Sequence, residues 1–283
     1  MNRAALFVIP LAFLIGIGID APQFAASAQS SQPSAAASAP ENSAASSPDT
    51  PAMTQFQKDE LRGDIFMARK EYREAIETYH DLTKETPRNA VLLNKLGVAY
   101  QQLDDLGRAE HYYKKSLKAD KTYASASNNL GTVAYEKKHY LKAIGDYQHA
   151  VALRAGMPTI YSNLGYAYFA NAQYEEAIGA FQKALALDPN VFAHHEGYGS
   201  LVQQRSTTDP GLFYFLIAKT YAESGNAVQS AHYLKLARDE GYANFLSART
   251  DPAFAKVIKD PALKEVLVVP PSYAGTGKTS HQN

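Results

Sequence analysis

The sequence predicts an all-α fold, a solenoid of antiparallel helix pairs, on the strength of three periodicities that coincide. A glycine recurs every 34 residues, an alanine follows each glycine by 12 residues, and an aromatic residue follows each alanine by four. A period of 34 residues is typical of stacked helical hairpins, and the small residues let the two helices of a hairpin approach each other closely. The residues are Gly63, Gly97, Gly131 and Gly165, then Ala75, Ala109, Ala143 and Ala177, then Tyr79, Tyr113, Tyr147 and Phe181.

The motif around each glycine resembles the tetratricopeptide repeat. It reads Asn94-Lys-Leu-Gly-Val-Ala-Tyr100 in one unit and Asn163-Leu-Gly-Tyr-Ala-Tyr168 in another, the latter ending at Pro189. The resemblance places four units at about 56–89, 90–123, 124–157 and 158–191 and implies a right-handed superhelical array. Arg62 stands where the family has leucine, and Ala134 where it has an aromatic residue. We expect these departures to weaken units one and three slightly.

The residues after unit four predict an irregular C-terminal cap. Gly199 continues the period, so we expect a partial fifth unit over 192–204, within an array spanning 53–204. A divergent repeat and capping helices should fill 205–269, because a solenoid must cover its apolar end. Asp209-Pro210 should open a helix through Glu223, followed by a helix at about 227–240. Asp251-Pro252 and Asp260-Pro261 should each open a short helix, and 270–283 is a disordered tail.

The N-terminal residues have the layout of a signal peptide. An apolar run from Ala4 to Ile19 precedes small residues at Ala26 and Ala28, which predicts a signal peptide over 1–28 with cleavage after Ala28. Residues 29–52 are rich in Ser, Ala and Pro and are expected to be a disordered linker. The protein is therefore expected to be periplasmic or secreted. The alternative is an uncleaved segment that anchors an extracytoplasmic domain to the membrane.

The charge balance argues against a nucleic-acid partner. Lysine plus arginine and aspartate plus glutamate each total 28, so no basic excess is available for phosphates. The absence of cysteine excludes thiolate metal sites and cysteine nucleophiles.

Two local motifs suggest chemistry, and neither has the required context. Gly275-Thr-Gly-Lys-Thr279 lacks the first glycine of a phosphate-binding loop and lies at the chain end. His194 and His195 are adjacent, so on a helix they point about 100° apart and do not face one ion. We therefore expect no catalytic residue, no metal and no cofactor, and no enzymatic activity. The alternative is an enzyme or enzyme accessory with an unrecognised site in 205–269.

The family resemblance implies a binding groove lined by the first helix of each unit. Asn129 and Asn163 occupy the same position in successive units, similar to the asparagine ladder with which some family members hold an extended peptide backbone. Alternatively, these amides satisfy local backbone groups. Tyr135, Tyr166 and Phe169 should supply apolar contacts. The expected groove residues are Asn94, Lys95, Gln101, Asn128, Asn129, Tyr135, Asn163, Tyr166 and Phe169.

The function that this groove implies is protein binding. We expect an exported scaffold that holds a partner protein or extended peptide, with envelope or secretion-complex assembly as one role. The basic clamp with which other family members capture a C-terminal carboxylate is absent from units three and four, where Ser125, Asn129, Thr159 and Asn163 stand. Contact with a membrane is expected only if the N-terminal segment is retained.

Overall fold

The computed structural model describes residues 53–192 and 209–268, and these residues form helices and no strands. The expected all-α helical solenoid is confirmed. The predicted signal peptide, linker, tail and most of the partial fifth unit lie outside the described residues. The helices are α1 (Gln55–Ala68), α2 (Tyr72–Glu85), α3 (Ala90–Gln102), α4 (Leu106–Ala119), α5 (Ala124–Glu136), α6 (Tyr140–Leu153), α7 (Pro158–Ala170), α8 (Tyr174–Leu187), α9 (Pro210–Glu223), α10 (Ala227–Asp239) and α11 (Pro261–Leu267).

Each unit is a pair of antiparallel helices, and each pair packs against the next. The first helix packs most closely on the second helix of its own unit, and the second helix then packs on the first helix of the following unit. Side-chain hydrogen bonds cap several helix N-termini. Thr54 and Gln57 form a capping box at α1, and the Asp105 side chain accepts from the backbone N–H of Arg108 at α4.

The repeated glycines lie against the repeated aromatic rings. Tyr79, Tyr113, Tyr147 and Phe181 are fully buried. A Cβ atom added at Gly63, Gly97, Gly131 or Gly165 would approach the nearest ring atom to between 2.4 and 2.7 Å, closer than real Cβ contacts allow. The 34-residue spacing therefore records the site where the two helices of each hairpin touch.

The loop within each unit turns through one left-handed residue. These residues are also 34 apart, and none of them is glycine: Lys70, Asp104, Lys138 and Ala172, with φ between 58 and 63°. In the hairpin of α9 and α10 the equivalent turn uses Gly225, at φ 81°.

The C-terminal region continues the stack and then closes it. Helix α9 packs on α8 and on α10, and α10 packs on α11. The helix expected at Asp251-Pro252 is only a 3₁₀ turn, Pro252–Phe254, because Phe254 bonds back three residues to the carbonyl of Asp251. A second 3₁₀ turn, Phe245–Arg249, was not predicted. Residues 191 and 192, where the fifth unit was expected to begin, form a turn.

Candidate functional site

The first helices of the units form one layer of the solenoid. Helix α3 contacts α5 and α5 contacts α7, whereas each second helix contacts mainly the first helices on either side. Because the first helices lie closer together, their layer is the inner, concave one. The expected groove residues of units two to four all belong to this layer.

Four asparagine amides of the groove form one continuous hydrogen-bonded chain. The Nδ2 of Asn163 donates to Oδ1 of Asn128 at 3.0 Å, and the Nδ2 of Asn129 donates to Oδ1 of Asn94, also at 3.0 Å. Asn128 Nδ2 joins the two pairs by donating to Oδ1 of Asn129 at 3.3 Å. The chain links α3, α5 and α7, so these amides bridge units and do not cap local backbone.

The bonds between units follow a fixed offset of 35 residues, one more than the repeat. Asn129 and Asn163 each bond to the residue 35 positions earlier. Lys95, which stands at the same repeat position as those two asparagines, donates to Glu60 at 2.8 Å with the same offset. If each repeated glycine is counted as position 8 of its unit, a residue at position 6 therefore binds the residue at position 5 of the unit before it.

Lys95 forms ion pairs with the acidic side chains of unit one. Besides Glu60, its Nζ donates to Asp64 at 2.7 and 2.9 Å, and its side chain is only 14% exposed. The Tyr79 hydroxyl also donates to Asp64, at 2.6 Å. Since two carboxylates surround one ammonium group, Lys95 is a structural ion-pair partner more than a free cation.

Gln101 is a second link between units and holds a perturbed carboxyl group. Its Nε2 donates to Glu136 at 2.8 Å, and its Oε1 accepts from the Tyr113 hydroxyl at 2.7 Å. Burial raises the pKa of Glu136 to about 7, partly opposed by the bond from Gln101 and reinforced by the negative charge of Asp104. No pattern of residues in the sequence indicated this carboxyl group, because its burial arises between units.

The three aromatic residues expected to offer apolar contacts are buried instead. Tyr135, Tyr166 and Phe169 are 2, 3 and 5% exposed. The ring of Phe213, on α9, stacks on Tyr166 at 5.2 Å and meets Phe169 edge-on at 5.5 Å. None of the three rings is accessible to a ligand, and α9 covers two of them, Tyr166 and Phe169. The run Leu212-Phe-Tyr-Phe215 was the available signal of a covering helix.

The accessible floor of the groove lies in units two and three. Asn128, Asn129, Ser125 and Val98 are half-buried, whereas Asn94 and Asn163 are buried. An amide has two N–H donors and two acceptor lone pairs. Asn128 and Asn129 each use one of each kind in the chain, so each retains one donor and one acceptor for a ligand.

The described residues offer no group of three or more His, Asp or Glu side chains placed to hold a metal ion. His194 and His195 lie outside the described residues, as does the glycine-rich segment 275–279. None of the helices described here is both long and apolar enough to cross a bilayer.

Family models of the tetratricopeptide repeat match the region built from these helix pairs. One matches residues 158–191, and a second matches residues 60–124 and 94–158. The matches together run without a gap from 60 to 191.

Among the proteins similar to this chain are one relative in sequence and two solved structures. The chain is 31% identical over 88 residues to the uncharacterized protein ycf37 of Porphyra purpurea, covering 28% of this chain and 51% of that one. The chain thus spans about half the length of that curated relative. A solved structure of pilF from Pseudomonas aeruginosa is 18% identical, covers 75% of this chain and 86% of its own, and has a TM-score of 0.50. A structure of MamA from Desulfovibrio magneticus RS-1 is 21% identical, covers 68% and 98%, and has a TM-score of 0.47.

At these identities the solved structures bear on the fold alone. The assignment to a family rests on the repeat matches together with the helix pairs. The chain belongs to the tetratricopeptide-repeat family.

Proposed function

We propose that this chain is an exported scaffold that holds an extended segment of a partner polypeptide in the concave groove. A protein-interaction scaffold is the general role that the tetratricopeptide fold suggests. The observation that supports groove binding is the pair Asn128 and Asn129, which are half-buried on the inner layer with one donor and one acceptor each to spare.

The spare groups suit a peptide backbone. A peptide unit presents one N–H and one C=O, so an amide side chain can pair with both without reading the ligand's side chains. The chain of amides fixes both asparagines before a ligand arrives, which lowers the entropy lost on binding. Ser125 and Val98 flank them and supply a hydroxyl and an apolar contact.

The covering helix limits the proposed footprint. Because Phe213 covers Tyr166 and Phe169, the partner would contact units one to three and not the inner face of unit four. The revised footprint consists of half-buried residues: Val98, Ser125, Asn128 and Asn129, with Glu60 and Asp64 at its N-terminal edge.

The proposal of export rests on the sequence alone. The apolar run from Ala4 to Ile19 and the small residues Ala26 and Ala28 support a cleaved signal peptide and a periplasmic or secreted protein. Sequencing the N terminus of the mature protein tests this directly. A chain beginning at Gln29 supports cleavage, whereas an intact Met1 would favour the membrane-anchored alternative.

A photo-crosslinking amino acid placed in the groove tests the proposed binding. We expect a probe at Ser125 to capture a partner from the native envelope fraction, and a probe at Leu141, which is 72% exposed on α6, not to capture it. Asn128→Ala with Asn129→Ala should abolish the crosslink. Ser127→Ala is the matched control, since Ser127 lies on the same helix but bonds to α6. Capture that survives the double substitution, or that is lost equally in the control, would move the site away from the groove amides.

A further inference from the structure

The N-terminal end of the array lacks the apolar surface that joins one unit to the previous one. In units two to four, positions 3, 7 and 10 are apolar and no more than 7% exposed. These nine residues are Leu92, Leu96, Ala99, Ala126, Leu130, Val133, Ile160, Leu164 and Ala167. Unit one has Lys58, Arg62 and Ile65 at the equivalent positions, with Arg62 59% exposed along its side chain and Ile65 42% exposed.

This outer face of α1 is both basic and apolar. Lys58, Leu61, Arg62, Ile65 and Arg69 follow the i, i+3, i+4, i+7, i+11 spacing of one helix face, and all five are exposed. Leu61 is 46% exposed, so the two aliphatic residues form an open pair one turn apart.

The acidic residues of α1 do not cancel the charge of this face. Glu60 and Asp64 lie on the groove side, where both bond to Lys95. Asp59 pairs with Arg62 at 3.1 Å. Among the described residues, Lys58 and Arg69 have no ion-pair partner, so the outer face keeps a net positive charge.

We propose that the outer face of α1 docks on an anionic lipid bilayer. An amphipathic helix surface with Lys and Arg around aliphatic residues binds such membranes, because its cations meet anionic headgroups and its apolar side chains enter the interface. The site is separate from the proposed groove, which lies on the opposite side of the same helix, so either can fail without the other.

In the membrane-anchored alternative, the position of the face in the chain adds a reason to favour a membrane over an acidic protein. Helix α1 begins at Gln55, three residues after the expected linker 29–52. A flexible chain of that length has a root-mean-square span of roughly 25–30 Å. A retained N-terminal segment would thus hold the start of α1 within about this distance of the headgroups. In the cleaved form, the unpaired cations and the exposed pair Leu61 and Ile65 alone favour a bilayer.

The absence of tryptophan from the sequence makes a direct test possible. We would place a single tryptophan in the full chain by Ile65→Trp and add vesicles of phosphatidylcholine with or without about one-third phosphatidylglycerol. The expected result is a blue-shifted emission, quenched by brominated lipid, with the anionic vesicles only. The control is Leu141→Trp on α6, at a site that is 72% exposed and far along the array; its emission should not change.

Charge reversal tests the electrostatic part. In the Ile65→Trp background, Lys58→Glu with Arg69→Glu should weaken binding to anionic vesicles by on the order of tenfold or more. Lys118→Glu with Lys121→Glu, two exposed residues of unit two, should leave it unchanged. Circular dichroism would check that each variant is folded. An Ile65→Trp emission that ignores anionic vesicles, or that responds equally to neutral ones, would overturn the proposal.

Discussion

Replacing Gly131 by alanine tests whether the repeated glycines are set by contact with the aromatic rings. A Cβ at this position would lie 2.7 Å from both Cδ1 and Cε1 of Tyr147, and 3.0 Å from Cγ. Tyr147 is fully buried, and its hydroxyl bonds to Thr132 at 3.1 Å, so the ring cannot turn away without losing that bond. Overpacking of this kind costs about 1–3 kcal/mol.

Gly145 provides a matched control in the same unit. It lies in α6, and a Cβ added there meets nothing within 4 Å. Alanine is favoured over glycine inside a helix by about 1 kcal/mol, so Gly145→Ala should stabilise the protein by that amount. The same gain applies to Gly131→Ala, and the difference between the two variants therefore isolates the steric cost, about 1–3 kcal/mol.

Urea unfolding followed by far-ultraviolet circular dichroism measures both variants against the parent chain. We expect the urea midpoint of Gly145→Ala to lie above that of the parent chain. The midpoint of Gly131→Ala should lie below that of Gly145→Ala, and the corresponding difference in the free energy of unfolding should equal the steric cost. Equal midpoints for the two variants would refute the reasoning, because they would mean that the hairpin absorbs a Cβ freely at its closest contact.

Three further changes have defined outcomes. Glu136 has a pKa of about 7 in the folded protein and of 4.5 in the unfolded chain. Its contribution to stability is therefore complete below pH 4.5 and is lost as the pH rises through 7. Glu136→Gln should remove this pH dependence of stability, worth up to about 3 kcal/mol, in thermal melts between pH 4 and 8. Glu110, whose pKa bonds from lysines lower to about 2, is the control, since Glu110→Gln should alter the pH dependence only below 4.5. Asn129→Ala leaves the buried Asn94 carbonyl without its donor and should lower the free energy of unfolding by about 1–3 kcal/mol; a double-mutant cycle with Asn94→Ala that shows full additivity would contradict the bond. Ala172→Gly should stabilise the protein by about 0.5–1 kcal/mol and so raise its melting temperature, because alanine adopts the left-handed φ of 58° there. An unchanged or lower melting temperature would count against strain at this turn.

The periodic part of the fold could be predicted from the sequence because local spacing and tertiary contact coincide there. The second helices of the four units begin at aromatic or leucine residues with the same 34-residue spacing: Tyr72, Leu106, Tyr140 and Tyr174. The repeated glycine and ring residues are in contact in every unit.

The contacts within the groove were less predictable, because equivalent repeat positions are not the positions that touch. Asn129 and Asn163 were compared because they are 34 residues apart, yet each bonds to a residue 35 positions away. The period identifies equivalent sites, whereas the tilt between successive units decides which of them meet. The covering of Tyr166 by Phe213 depends on a helix beyond the repeats, so no period predicts it.

Arg62 shows how a departure from the motif can have a different cause from the one expected. In the sequence it looked like a weakness in unit one, since leucine is usual there. In the structure it is exposed at the end of the array, where leucine would face water. Its charge is suited to a terminal repeat, whose outer face must be polar.

The charged positions of unit one also bear on how such an array can change in length. A duplicated unit inserted between units two and four would find matching apolar faces on both sides, since every interface there is built from the same three positions. A unit added before α1 would instead press its second helix onto Lys58 and Arg62. Extension by recombination or by protein engineering is thus open inside the array and closed at its start, unless both residues first become aliphatic.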